Sequence, residues 1–193
     1  VSAHLEAGRR PGWQALLDAI AAESDPVRRR NLELVAVHVV AEVEGELDTL
    51  MATLVEEPRY RFLGCTSSVG PVGAAAVREH YSRMIASGKN RLDFLVDRVV
   101  ADADAVVTEG VFRLAYPGSS MPQRSAESGE PVHDDHWYLI EYRCIVVWPI
   151  RGDRLEGEDL YVGEPPRVVR ALADGEHPGL GPVGRRNGSV PVW

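Results

Sequence analysis

The apolar pattern of this chain changes its period once, at Ser87 and Gly88. Before that point hydrophobic residues recur at helical spacing, and after it they alternate, which is the period of a pleated strand. The order is helix, short strand, helix and then sheet, and it predicts an α+β chain that closes a curved sheet over a small pocket. Such an architecture bounds the function to small-molecule chemistry or small-molecule binding.

Trp13, Leu16, Leu17 and Ile20 share helical spacing and predict an accessory helix over 11–22. Asp25 followed by Pro26 is a start signal, a capping acid before proline at the first helical position. It predicts the main helix over 26–44, interrupted by Gly45, with a shorter helix over 46–54 stopped at Glu57 and Pro58. A strand is expected over 59–63, and the three glycines and one proline of 64–73 make a loop. The next helix, 74–86, buries Val77, Tyr81, Met84 and Ile85.

Alternation over 92–100, 105–115, 137–148 and 155–162 predicts an antiparallel meander with tight turns at 101–104 and 151–153. The segment 116–135 is rich in Ser, Pro and Gly and longer than a hairpin needs, as a lid or a plain surface loop would be. From 164 onward a Pro- and Gly-rich tail has one helical turn, 167–173, and reads as poorly ordered or wrapped on a partner subunit. The expected division is an N-terminal accessory helix over 1–25, a central domain over 26–164 and a tail over 165–193.

A net charge of -8 argues against a phosphate-backbone ligand, because nucleic-acid binding leans on many Lys and Arg contacts. Arg28, Arg29 and Arg30 spread over different faces of a helix and read as its solvated start. Cys65 and Cys144 have no paired spacing and are expected as thiols in a reducing cytoplasm. No run has the length of a membrane span, and the first residues lack the basic and apolar regions of a signal peptide. Neither a phosphate-cradling glycine loop nor a GxSxG elbow is present, which removes nucleotide-dependent and covalent serine chemistry.

Four stretches carry a resemblance: EGELD at 44–48, GAAAVREHY at 73–81, VADADAVV at 100–107 and GDRLEGEDLY at 152–161. In this order and spacing, over about 26–164, the chain resembles the nuclear transport factor 2-like superfamily, in its SnoaL-like polyketide cyclase and ketosteroid isomerase branch. The resemblance implies a conical, curved antiparallel sheet wrapped around three helices, a cystatin-like barrel. It also implies homodimers paired through the outer sheet face, with no metal and no cofactor.

Aligned on residues 44–48, the tyrosine that donates to the oxyanion in steroid isomerases falls at His38, and the carboxylate base falls at Gly64, which has no side chain. The Arg-x-Asp pair of the epoxide hydrolase branch falls at Gly110 and Phe112, and its water-activating aspartate near Leu160. A slip of one residue brings Asp159 to that place, and a slip of two brings Glu158.

His38 lies among valines on the main helix, where an imidazole needs a partner, either as a satisfied core histidine or as a pocket acid or base. Glu42, four residues on, shares its face and is expected to orient the ring, with a solvated glutamate as the alternative. Glu158 shares a strand face with Leu160 and Val162 and is expected to point inward; the opposite register turns Asp159 in. Tyr60, Phe62, Tyr81, Phe112, Tyr138, Tyr142 and Trp148 are expected to line the cavity or fill the core. Glu141 and Arg143 belong to the outer face as cross-strand ion pairs. The run from His133 to His136 offers metal-ligand types, but its consecutive loop side chains diverge.

These residues predict a cofactor-independent acid/base enzyme acting on a hydrophobic small molecule, as a cyclase, isomerase, dehydratase or related lyase. The alternatives are a non-catalytic small-molecule-binding protein of the same fold and an epoxide hydrolase-like activity.

Overall fold

The computed structural model describes residues 12–64, 69–90, 92–121, 126–127, 129–173 and 176. Its helices are α1 (Gln14–Ala22), α2 (Pro26–Glu44), α3 (Leu47–Ala52) and α4 (Ala74–Ala86). The strands are β1 (Arg61–Leu63), β2 (Leu92–Ala101), β3 (Ala105–Pro117), β4 (Trp137–Arg151), β5 (Arg154–Leu155), β6 (Asp159–Val162) and β7 (Arg167–Ala171).

The ends of α2 follow from local chemistry. The Asp25 carboxylate accepts from the backbone N–H of Val27 and Arg28 at 2.9 and 3.0 Å, and Gly45 ends the helix in the left-handed region at φ 76°. Asn31 donates to the carbonyls of Asp102 and Ala103, which fastens the first turns of α2 to the β2–β3 turn. The helix packs across β2 and β3, α1 packs on α2 and β2, and α3 packs on α4.

The curved sheet runs β1-β6-β4-β3-β2, with β5 and β7 adding to the same long β4. Pairs β2–β3 and β3–β4 are antiparallel hairpins, as the alternation requires. A bulge between Val96 and Arg98 interrupts β2 opposite Gly110, where a Cβ would stand 2.1 Å from the Leu95 carbonyl oxygen. Gly110 therefore has a backbone reason to be glycine.

Three expectations are corrected. The sheet is not wholly antiparallel: the meander strands β2, β3, β4 and β6 pair antiparallel as expected, but β1 joins β6 in parallel with Arg61 beside Asp159. The strand expected over 155–162 is broken into β5 and β6 at Gly157, whose φ is 137° and whose Cβ would meet the Arg59 carbonyl oxygen at 1.9 Å. That break carries the chain from the β4 edge to β1, where the N–H of Arg61 donates to the Glu158 carbonyl at 2.7 Å.

The helical turn expected over 167–173 is strand β7, antiparallel to β4, with Val168 buried. Its alternating, β-branched residues satisfy the free edge of β4 better than a short helix would. The described part of 116–135 docks on this strand: the N–H of Glu127 donates to the Val168 carbonyl, and Arg167 pairs with Glu127 at 2.7 Å. Cys144 is a buried thiol on β4, whereas Cys65 lies outside the described residues. No helix among the described residues is long and apolar enough to cross a membrane.

Candidate functional site

On α2 the residues Val35, His38, Val39 and Glu42 follow i, i+3, i+4, i+7 spacing and share one face turned to the sheet. His38 is completely buried there. Its Nδ1 lies 2.7 Å from the Thr53 hydroxyl, and that hydroxyl spends its own hydrogen on the Leu50 carbonyl at 2.6 Å. Thr53 must accept, so Nδ1 carries a hydrogen and Nε2 presents its lone pair inward.

Three groups converge on that lone pair. Glu158 Oε1 stands 3.2 Å from Nε2, the Tyr81 hydroxyl 3.3 Å and the Tyr60 hydroxyl 3.5 Å. Tyr81 donates to Glu158 Oε1 at 2.7 Å, and the two tyrosine oxygens are 3.2 Å apart. An imidazole lone pair and a carboxylate oxygen are both acceptors, so the Nε2–Oε1 contact at 3.2 Å needs a hydrogen on one of the two. The edge of the Trp148 ring closes the cluster from behind, 5.7 Å from the His38 ring, with its indole N–H on the Thr108 hydroxyl.

Burial first, and the neighbouring Glu158 charge second, raise the Glu42 carboxyl well above the usual carboxylate range. The Glu42 oxygen lies within 4.8 Å of the His38 nitrogen and the Glu158 oxygen. The same two causes raise Tyr60 and Tyr81 well above an ordinary phenol, so both remain hydrogen donors. His80, absent from the sequence candidates, packs against Tyr81 and Phe62 at ring separations of 5.3 and 5.8 Å. Burial lowers its pKa, partly offset by Glu158.

Aromatic residues extend the site along the inner face of the sheet. Phe94 stacks on Phe112 at 4.4 Å, and Phe112 tilts toward Tyr142 at 5.7 Å. Phe112 and Tyr142 remain half-buried while their same-face neighbours Leu114, Ile140, Cys144 and Val146 are sealed. Phe62, at the cluster's other side, is also half-buried. These rings are the partly exposed aromatic surface next to the cluster among the described residues.

The structure brings His38, Glu42, Glu158, Tyr60 and Tyr81 together and leaves other candidates outside. Asp159 is not turned into the cluster: it is 5% exposed and bound by both Nε and Nη2 of Arg61, its register partner on β1. The kink at Gly157 settles the register in favour of Glu158. Glu42 does not orient the imidazole, because Thr53 holds Nδ1; nothing local in the sequence marks Thr53, which reaches His38 only through the fold of α3 on α2. The Tyr138 hydroxyl is engaged away from the cluster, accepting from the His133 N–H at 2.8 Å and facing the Pro131 carbonyl.

Gly64, where a carboxylate base was sought, has a φ of 79° and would place a Cβ 2.7 Å from the Val162 carbonyl oxygen. That position cannot take a side chain without moving β6. Glu141 and Arg143 lie on the outer face as expected, paired with Arg113 and with Asp97 and Glu109. Of the run 133–136, Asp135 and His136 contact each other at 2.8 Å in exposed positions.

No protein-family model matches the chain, and no curated protein matches it in sequence. Solved structures do match in shape. A SnoaL-like protein from Shewanella denitrificans OS-217 has a TM-score of 0.54 at 16% identity, covering 72% of this chain and 91% of its own. SalBIII, an epoxide hydrolase/cyclase-like enzyme of pyran ring formation in polyether salinomycin, has a TM-score of 0.53 at 13% identity, covering 72% and 96%. A nuclear transport factor 2-like protein from Anabaena variabilis ATCC 29413 has a TM-score of 0.52 at 17% identity, covering 75% and 96%. The helices laid into the hollow of a curved sheet are thus those of the nuclear transport factor 2-like fold, which this chain has.

Proposed function

We propose that this protein is an acid/base enzyme that moves protons on a hydrophobic small molecule, as a cyclase, isomerase, dehydratase or related lyase. One observation carries the reading: His38 Nε2 and Glu158 Oε1 meet at 3.2 Å inside the fold, with the ring fixed from behind by Thr53. A base with its lone pair aimed and an acid beside it are the two groups that proton transfer needs. His38 and Glu158 divide those roles, and the hydroxyls of Tyr60 and Tyr81 donate to negative charge developing on a substrate oxygen. The half-buried rings of Phe62, Phe112 and Tyr142 receive the apolar body of the substrate.

A purely binding role would leave His38 and Glu158 bonded elsewhere. Their convergence favours catalysis. Epoxide opening is a second reading, supported by the similarity to SalBIII. It needs one group to protonate the departing oxygen and another to activate the attacking hydroxyl or water, and the same pair supplies both.

The test is turnover of a panel of polyketide-like, terpenoid and steroid ketones and epoxides, read as product formation and as deuterium uptake from heavy water. Conversion by the wild-type chain, lowered at least about a hundredfold by His38→Ala and by Glu158→Gln with the fold intact, is expected. Full rate in both variants contradicts the assignment.

A further inference from the structure

The proton-transfer reading leaves one arrangement unused. His38 and Glu42 stand four residues apart on one face of α2, and Glu158 faces them from the start of β6, so that all three ligand atoms lie within 4.8 Å of one another. Nε2 is the inward lone pair, because Nδ1–H is held by Thr53. A ring nitrogen whose partner N–H is anchored this way is the arrangement of a metal-ligating histidine. Among the described residues neither Glu42 nor Glu158 is paired with Lys or Arg. Arg61 pairs with Asp159 and Arg78 with Asp48.

We propose that His38 Nε2, Glu42 and Glu158 form a binding site for a divalent transition metal of the Zn²⁺ class. One nitrogen and two carboxylates are a donor set that suits a borderline ion, and two ionised carboxylates cancel its charge inside the fold. In a tetrahedral set with bonds near 2 Å, ligand atoms stand about 3.3 Å apart. Nε2 and Oε1 already stand at 3.2 Å. A rotation of the Glu42 side chain, which has no hydrogen bond to hold it among the described residues, brings the third ligand in. Three protein ligands leave a fourth position, as in zinc centres that keep a place for water or substrate.

The ion and the hydrogen between Nε2 and Oε1 compete for the same lone pairs. Metal-loaded protein therefore loses the free base on which the proposed reaction relies. The site rests on the geometry of the cluster alone, so its test needs no substrate and can fail independently of that reaction.

The experiment is calorimetric titration of chelator-stripped protein with zinc sulfate alone, with Co²⁺ added in parallel and its visible absorption recorded. One ion per chain, a tetrahedral Co²⁺ spectrum, and affinity reduced at least about tenfold by Glu42→Gln and further by His38→Ala support the site. Glu42→Gln is nearly isosteric, and its melting curve verifies the fold. His136→Ala, in the exposed loop, leaves the affinity unchanged. Absence of one-to-one binding, or binding that survives Glu42→Gln and His38→Ala, overturns the proposal.

Discussion

The two faces of the sheet use the same acidic residues in opposite ways. On the outer face acids of the ladder meet cations: Glu141 meets Arg113 at 2.7 Å, and Glu109 and Asp97 meet Arg143 at 3.0 and 2.8 Å. On the inner face Glu158 and Glu42 meet an imidazole, two phenols and each other. Exposed ion pairs contribute little and keep a sheet soluble. Buried acids without a cation raise the free energy of the folded state, and such local departures from stability mark the places where a chain carries chemistry.

The sharpest contrast is between neighbours. Glu158 and Asp159 are adjacent in sequence, and the kink at Gly157 sends one inward and the other out to Arg61. Glu158→Gln is expected to lower turnover at least about a hundredfold. Asp159→Asn keeps the rate within about twofold and lowers stability through loss of its pair with Arg61. Steady-state rates and denaturant melts of the two variants, measured side by side, check this; equal loss of rate would erase the distinction between the faces.

Next in size is Thr53. Thr53→Val keeps the shape but leaves the buried Nδ1–H without an acceptor, which is expected to remove about 1–3 kcal/mol of stability. It also frees the ring to adopt the other tautomer, so kcat falls while substrate affinity holds. Denaturant unfolding and separate kcat and KM values check it.

On the outer face Arg143→Ala is expected to change stability little, and less still at high salt. Unfolding at two ionic strengths checks it.

The smallest effect belongs to Glu23, whose hydrogen bonds to Arg28 and to the backbone of Asp25 lower its pKa to about 2. Its unfolded value is higher, so the contribution is present above the ordinary glutamate range and is lost as pH falls toward 2. Melting temperature against pH for Glu23→Gln should show a shallower acid limb than the wild type.

Where a boundary is set by chemistry within a few residues, the chain announces it. Asp25 and Pro26 open α2 and Gly45 closes it, and the two long hairpin strands follow their alternation. Where the deciding partner is distant, the sequence is silent. The segment 167–171 becomes a strand because β4 offers it an edge, and β1 pairs in parallel because Gly157 lets the chain cross to it.

The site divides along the same line. His38, Glu42 and Glu158 were legible as polar residues on apolar faces, and the resemblance pointed to the first of them. Thr53 and His80 were not, since each gains its place only when α3 and α4 pack beside the cluster.

Nitrogen-15 NMR of the His38 ring tests the buried His38–Glu158 pair most directly. Nδ1 is expected to carry a slowly exchanging proton in every state, and the Nε2 resonance to shift when Glu158 is changed to Gln. A ring protonated only at Nε2, or an Nε2 signal indifferent to Glu158→Gln, would contradict it.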